Sequence, residues 1–153
     1  MSGIGIGHSV PRKEANDKVT GVAKYTDDFV EIGILHAKLV TSKMAHAKIL
    51  SIDTSEAGQQ PGVQAIITGN DIDVLCGSLI KDRPPLARGK VRYYGEPIAI
   101  VIANSEYEAE SALTKVRVQY EPLPVVNSTA DALKKDAPLV HEYNGFYSSK
   151  KIK

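Results

Sequence analysis

The 153-residue chain contains a single cysteine, Cys76. One thiol excludes an intrachain disulfide and a thiolate metal cluster, and it suits a reducing cytoplasm. Charge of one sign is also missing: 19 basic and 18 acidic side chains leave a formal net charge of +1. That balance removes the basic footprint of a nucleic-acid binder and any simple attraction to an anionic membrane surface. Long hydrophobic runs are absent as well. The longest, Ile98 to Ala103, falls far short of the roughly 20 residues a membrane-spanning helix needs. Met1 to His8 lack the basic start and apolar stretch of a secretory leader, so the cytoplasm is the expected location.

What remains is an ordinary globular composition, 42% hydrophobic and 24% charged, in a chain long enough to bury one core. Residues 1–17 read as a flexible opening segment, rich in Gly and charge. A short strand is expected over Val19–Tyr25, with Gly21 weakening its middle. Ile34–Val40 alternates as a half-buried strand, Leu35, Ala37 and Leu39 on one face and His36 and Lys38 on the other. Lys48–Asp53 reads as a further strand whose alternation is blurred at Ile49-Leu50. Thr54 or Ser55 can cap a helical turn that Gly58 ends, and Pro61-Gly62 turns the chain into a strand over Val63–Thr68. Asn70–Leu75 suggests a weak helical turn. The stretch from Cys76 to Lys90, with Pro84-Pro85, reads as a loop long enough to serve function or an interface.

The strongest pattern spans Pro97–Tyr120. Ile98–Ala103 is a continuous apolar, β-branched run, the mark of a strand buried on both faces. Ser105 and Glu108 have capping-box spacing, and Ala109, Ala112, Leu113 and Val116 follow at helical spacing. Val116, Val118 and Tyr120 then alternate with Arg117 and Gln119 as a half-exposed strand. Ser128 and Asp131 cap one more short helix, to about Lys135. Several strands ahead of a strand–helix–strand unit, with only short helices between, predict an α+β domain with a mixed sheet.

Groups that could carry chemistry are scattered. Gly3-Ile4-Gly5-Ile6-Gly7 lacks the preceding strand and following helix of a dinucleotide loop. His8, His36, His46 and His141 form no metal-ligand pair by spacing. Asp27-Asp28 reads as turn chemistry, and Glu106, Glu108 and Glu110 as the solvated face of a helix. Asn127-Ser128-Thr129 fits a glycosylation sequon, which has no use without secretion. Lys43-Met44 invites comparison with carrier domains, which present a modified lysine at a hairpin tip, but its flanks do not match. No nucleophile–base pair, phosphate loop or metal cluster emerges, and no catalytic, cofactor-binding or metal residue is assigned.

Several blocks do resemble one family. Lys18-Val19-Thr20-Gly21-Val22-Ala23-Lys24-Tyr25-Thr26-Asp27-Asp28 is similar to an opening segment of molybdenum hydroxylase large subunits: the xanthine dehydrogenases, aldehyde oxidases and carbon monoxide dehydrogenases. The likeness continues at Ala45-His46-Ala47-Lys48-Ile49, Ser51-Ile52-Asp53-Thr54-Ser55, Pro61-Gly62-Val63 and Val91-Arg92-Tyr93-Tyr94-Gly95-Glu96-Pro97. Val118-Gln119-Tyr120-Glu121-Pro122-Leu123-Pro124 and Ala137-Pro138-Leu139-Val140-His141-Glu142 complete the series. The order of the blocks carries more weight than any one of them.

The resemblance implies an α/β-hammerhead over 18–142, preceded by the flexible opening segment over 1–17. Residues 143–153 then start a linker to molybdenum-binding domains. It implies that the chain is either trimmed to one domain or the product of a split or truncated gene. In such enzymes a molybdenum–pterin cofactor hydroxylates an aldehyde carbon or a carbon next to nitrogen, with oxygen from water and electrons passing through iron–sulfur clusters to FAD. The implied partners are the molybdenum-binding domains of the same subunit and iron–sulfur and flavin domains or subunits, with a homo-oligomer left open and no nucleic acid or membrane. The family's base and pterin-binding motifs have no counterpart here, and Glu96 falls in a Gly-Glu-Pro turn. The chain is therefore expected to be a structural, docking domain of a xanthine dehydrogenase-like oxidoreductase, inactive by itself. Its exposed apolar contacts are expected at Tyr93-Tyr94 and the loop from Cys76 to Arg88. The alternative is a freestanding hammerhead-like binding or carrier module, with a covalent group on a lysine such as Lys43 or a defined small-molecule pocket.

Overall fold

The structure is a computed structural model that describes residue 7 and residues 9–77 and 81–141. Two compact units divide the chain, Met1–Ile34 and Leu35–Lys153. In the first, helix α1 spans Ala15–Val19, and a 3-10 turn spans Thr26–Asp28. The strand expected over Val19–Tyr25 does not form. Glu14 and Lys18 pair at 3.9 Å across one helical turn, and Gly21, at φ +74°, ends the run. A strand needs a neighbour for its backbone groups, and this segment joins neither sheet.

The second unit holds strands β1 (His36–Thr41), β2 (Ala47–Asp53), β3 (Val63–Thr68), β4 (Lys90–Val91), β5 (Pro97–Ala103) and β6 (Arg117–Pro122). Helices α2 (Ser55–Gly58), α3 (Glu106–Leu113) and α4 (Thr129–Ala132) connect or follow them. The α+β class holds, but one mixed sheet resolves into two antiparallel sheets of three strands, ordered β1-β5-β3 and β4-β2-β6. The physical reason lies in the strand–helix–strand unit. β5 and β6 belong to different sheets, so α3 carries the chain from one sheet to the other rather than closing a parallel crossover.

Sequence irregularities become bulges. Ile49 pairs with Tyr120 and Ser51 with Gln119, which leaves Leu50 as the extra residue and explains the blurred alternation. Val40 pairs with Ala99 and Thr41 with Pro97, so Ile98 is extra in β5. Its side chain joins the core of the second sheet, with Ala47, Ala87 and Val91. The next residue, Ala99, packs with Val40, Val101 and Ala112 in the core beneath α3. Two consecutive residues thus tie two cores together.

α3 forms as its sequence predicts. Ser105 accepts the Glu108 N–H at 3.3 Å, and its hydroxyl donates to Glu108 Oε2 at 2.8 Å. Ala109 and Ala112 are buried, with Leu113 and Val116 packed beside them. At α2 the capping oxygen is neither Thr54 nor Ser55: Asp53 Oδ1 accepts the Ser55 N–H at 3.0 Å. The turn after β3 is confined to Gly69–Asp71, where Asp71 accepts from the Thr68 N–H, so Asn70–Leu75 does not propagate as a helix. α4 ends at Ala132, earlier than expected. No helix among the described residues is long and apolar enough to cross a membrane.

Candidate functional site

β1 departs most from its sequence pattern. Register places His36, Lys38 and Val40 opposite Ala103, Val101 and Ala99, and these inward residues face the core under α3. Leu35, Ala37 and Leu39 are the exposed set, although alternation marked them as the buried face. Val40 decides the inversion, being β-branched and in register with the α3-facing side of β5, while Lys38 reaches Glu106 at the start of α3.

On that outer side Leu39 pairs across the sheet with Ile100, and Ile100 with Ile67; Ala37 pairs with Ile102, and Ile102 with Ala65. Leu35 and Leu39 are each 49% exposed, and Ile67, Ile100 and Ile102 are partly exposed. The expectation that Ile98–Ala103 is buried on both faces therefore holds only at Ile98-Ala99. The outer side of the other sheet is different in kind: Lys48 pairs with Glu121 at 3.2 Å, beside exposed Gln119 and Ser51.

Polar groups gather at one corner, where Ser42 follows β1. The Ser42 N–H donates to the Glu96 carbonyl at 2.9 Å, and the Gly95 N–H to the Ser42 carbonyl at 2.9 Å. Gly95 has φ +85°, which the turn requires. Glu96, 2% exposed, accepts the Arg92 N–H and lies 3.5 Å from the Arg92 guanidinium. Its place is that of a buried turn latch. His46 Nδ1 is 2.6 Å from the Pro124 carbonyl. A carbonyl can only accept, so Nδ1 carries a proton. Neither His46 Nε2 nor Arg92 Nε has a hydrogen-bond partner. Both residues line a cavity of about 220 Å3 with Ala45, Tyr93, Tyr94 and Asn127. This hollow can hold a polar group, and among the described residues no serine, threonine, cysteine or lysine lines it.

The other singled-out residues stay apart. His36 lies on β1, and His141 Nδ1 is 3.8 Å from Asp82. His8 and the Gly3–Ile6 stretch lie outside the described residues, as do Glu142 and 143–153. Asp28 accepts the Tyr25 N–H at 2.8 Å as a turn cap. Glu106 takes Lys38, Glu108 closes the α3 cap, and Glu110 is exposed. Hydrogen bonding to Lys38 holds the Glu106 carboxyl below the ordinary glutamate range.

Lys43 is exposed after Ser42, whose hydroxyl donates to the Met44 carbonyl at 2.8 Å. The strands flanking it, β1 and β2, lie in different sheets, so Lys43 is not at a hairpin tip as a carrier lysine would be. The loop expected to form an interface is partly core: Pro84, Leu86 and Ala87 are buried, although Cys76 is exposed and bridges backbone with Arg83. Tyr93 and Tyr94 are exposed at the rim of the cavity.

Sequence reasoning missed Glu56, which pairs with Lys115 at 3.0 Å and Arg117 at 2.7 Å. It also missed the Arg92–Glu96 pair, for which the i,i+4 spacing was the available signal. No three His, Cys, Asp or Glu side chains among the described residues converge as metal ligands. The N-terminus of α3 is filled by the Ser105 hydroxyl and the Glu108 carboxylate, which leaves no place there for a phosphate.

Comparison with known proteins gives a consistent answer. The family model described as aldehyde oxidase and xanthine dehydrogenase, a/b hammerhead domain, matches residues 20–124. The chain is 40% identical over 133 residues to a probable xanthine dehydrogenase subunit of Bacillus subtilis, covering 86% of this chain and 18% of that protein. It is 38% identical over 143 residues to the xanthine dehydrogenase molybdenum-binding subunit of Escherichia coli O157:H7, covering 85% and 19%. Among solved structures, the aldehyde oxidoreductase of Desulfovibrio gigas superposes with a TM-score of 0.77 at 38% identity, over 87% of this chain and 16% of that one. The chain thus spans less than a fifth of the length of these relatives.

Proposed function

The chain belongs to the a/b hammerhead domain family of aldehyde oxidase and xanthine dehydrogenase, and we propose that it works as a structural, docking domain of a molybdenum hydroxylase. The observation that carries this reading is the combination of extents. The match runs through most of this chain but through only 18% of the Bacillus subtilis relative. A domain of that share, with no cluster of three metal-ligating side chains among its described residues, suits packing rather than chemistry.

In this reading the complete polypeptide is a xanthine dehydrogenase-like oxidoreductase that hydroxylates an aldehyde carbon or a carbon next to nitrogen. Molybdenum held by other domains supplies that chemistry when bound. Iron–sulfur clusters and FAD, on partner domains or subunits, take the electrons away. We assign the assembly to the cytoplasm, on the strength of the lone cysteine. We take the hammerhead to be the folded part of 18–142, with 1–17 leading into it and 143–153 leading on.

The test is to purify the complete polypeptide carrying this sequence, measure its molybdenum, and assay purine and aldehyde hydroxylation with an artificial electron acceptor. Molybdenum and turnover are expected in the complete polypeptide, and neither in the 153-residue chain. A complete polypeptide without molybdenum would overturn the assignment. Turnover by the 153-residue chain would overturn the docking role.

A further inference from the structure

We propose that the outer face of the β1-β5-β3 sheet is the seat of a helix from the rest of the molybdenum hydroxylase polypeptide, one that presents an uncharged aliphatic stripe. This rests on the reading above and adds the surface and the occupant.

The chemistry of the face selects the partner. Leu35, Ala37, Leu39, Ala65, Ile67, Ile100 and Ile102 supply it, and none carries a polar group. A charged partner would lose its hydration there with nothing to replace it. Antiparallel sheets that face water alternate polar residues outward, and the β4-β2-β6 sheet does so through Lys48, Gln119 and Glu121. The first sheet departs from that rule on one side alone, since its other side is filled by α3.

The dimensions select how the partner is attached. At ~4.8 Å between strands and ~3.3 Å per residue, three strands with a seven-residue centre present a strip about 14 Å wide and 20 Å long. That is roughly 300 Å2, whereas a stable complex between separate chains buries about 800 Å2 on each partner. A second copy of this chain, or any free partner, would be held weakly by this strip alone. A segment of the same polypeptide needs less area, because the covalent link raises its effective concentration. One helix, roughly 10–12 Å across with its side chains, matches the width of the strip. The relatives carry more than four-fifths of their length outside the matched region, which is where such a helix would come from.

Radical footprinting of side chains in the 153-residue chain and in the complete enzyme decides the matter, with analytical ultracentrifugation of the chain alongside. Leu39, Ile67, Ile100 and Ile102 should be labelled in the monomeric chain. In the molybdenum-containing enzyme their labelling should fall to the level of Ile98, which is buried already in the chain. Equal labelling in both samples, with molybdenum present, would sink the docking face and leave the family function standing. Protection already in the 153-residue chain, together with a dimeric mass, would make a second copy the occupant and overturn the proposal. A complete polypeptide without molybdenum would remove both readings together.

Discussion

The Lys38 ammonium of β1 is ion-paired with the Glu106 carboxylate in the first turn of α3. The bond joins a strand edge to the helix that covers the sheet, across 68 residues of chain. It lowers the Glu106 pKa from its ordinary 4.5 and raises that of Lys38 from 10.5. A lowered carboxylate contributes stability that is present above pH 4.5 and lost as pH falls through the folded value; the raised lysine contributes below pH 10.5 and is lost as pH rises through its own. Glu106→Gln should therefore lower the urea midpoint slightly at neutral pH and leave it unchanged at low pH, which flattens the acid limb of the profile. An acid limb identical to the wild type would show that the pair carries no pH dependence.

Gly69 faces the Ala87 carbonyl so closely that an added Cβ would lie 2.3 Å from its oxygen. Relief requires backbone movement in the segment that buries Leu86 and Ala87. At Gly62 the obstacle is the Glu108 carboxylate, 2.2 Å from such a Cβ, together with φ +78°. The carboxylate can swing aside by giving up its bond to the Ser105 hydroxyl, which adds to a backbone cost of roughly 1–2 kcal/mol. Gly69→Ala should lose about 3 kcal/mol by chemical denaturation, the upper range for overpacking. If Gly62→Ala proves the more damaging, the backbone contact at Gly69 is not the tighter constraint.

Ile98 and Ile102 test the division of β5 between inside and outside. Ile98 is fully buried in the core of the second sheet, and Ile98→Ala should cost about 2–5 kcal/mol. Ile102 lies on the open face and is partly exposed, and the same truncation in the 153-residue chain should cost about 1–2 kcal/mol. Equal losses would mean that the face is covered within this chain.

His46 fastens the start of β2 to the chain beyond β6. Its ring bonds the Pro124 carbonyl, and its backbone carbonyl accepts the Leu123 N–H at 2.9 Å. His46→Ala leaves the Pro124 carbonyl without its partner, a loss of roughly 1–3 kcal/mol. Amide exchange at Leu123 should speed up relative to that in β5. Unchanged exchange there would mean the ring bond is not what holds this segment.

Sequence periodicity and capping chemistry, both local, were enough to specify β1, β2, β3, β5, β6 and α3, but not α1, β4 or the lack of a strand over Val19–Tyr25. The spacing of Ser105, Glu108, Ala109 and Ala112 determined α3 because a helix satisfies its own backbone and needs only one apolar stripe. Val63–Thr68 and the apolar run at Ile98–Ala103 determined two strands, and the ordered blocks determined the family. The blurred alternation at Ile49-Leu50 recorded a bulge without saying which residue was extra. Tertiary structure decided what depends on partners. Strand pairing placed β5 and β6 in separate sheets, put Ile98 and Ala99 into separate cores, and brought Glu56 to Lys115 and Arg117. It also turned Leu35, Ala37 and Leu39 outward. Alternation shows that two faces differ, but only the register of β1 against β5, set by Val40 and Lys38 beneath α3, decides which of them is inside.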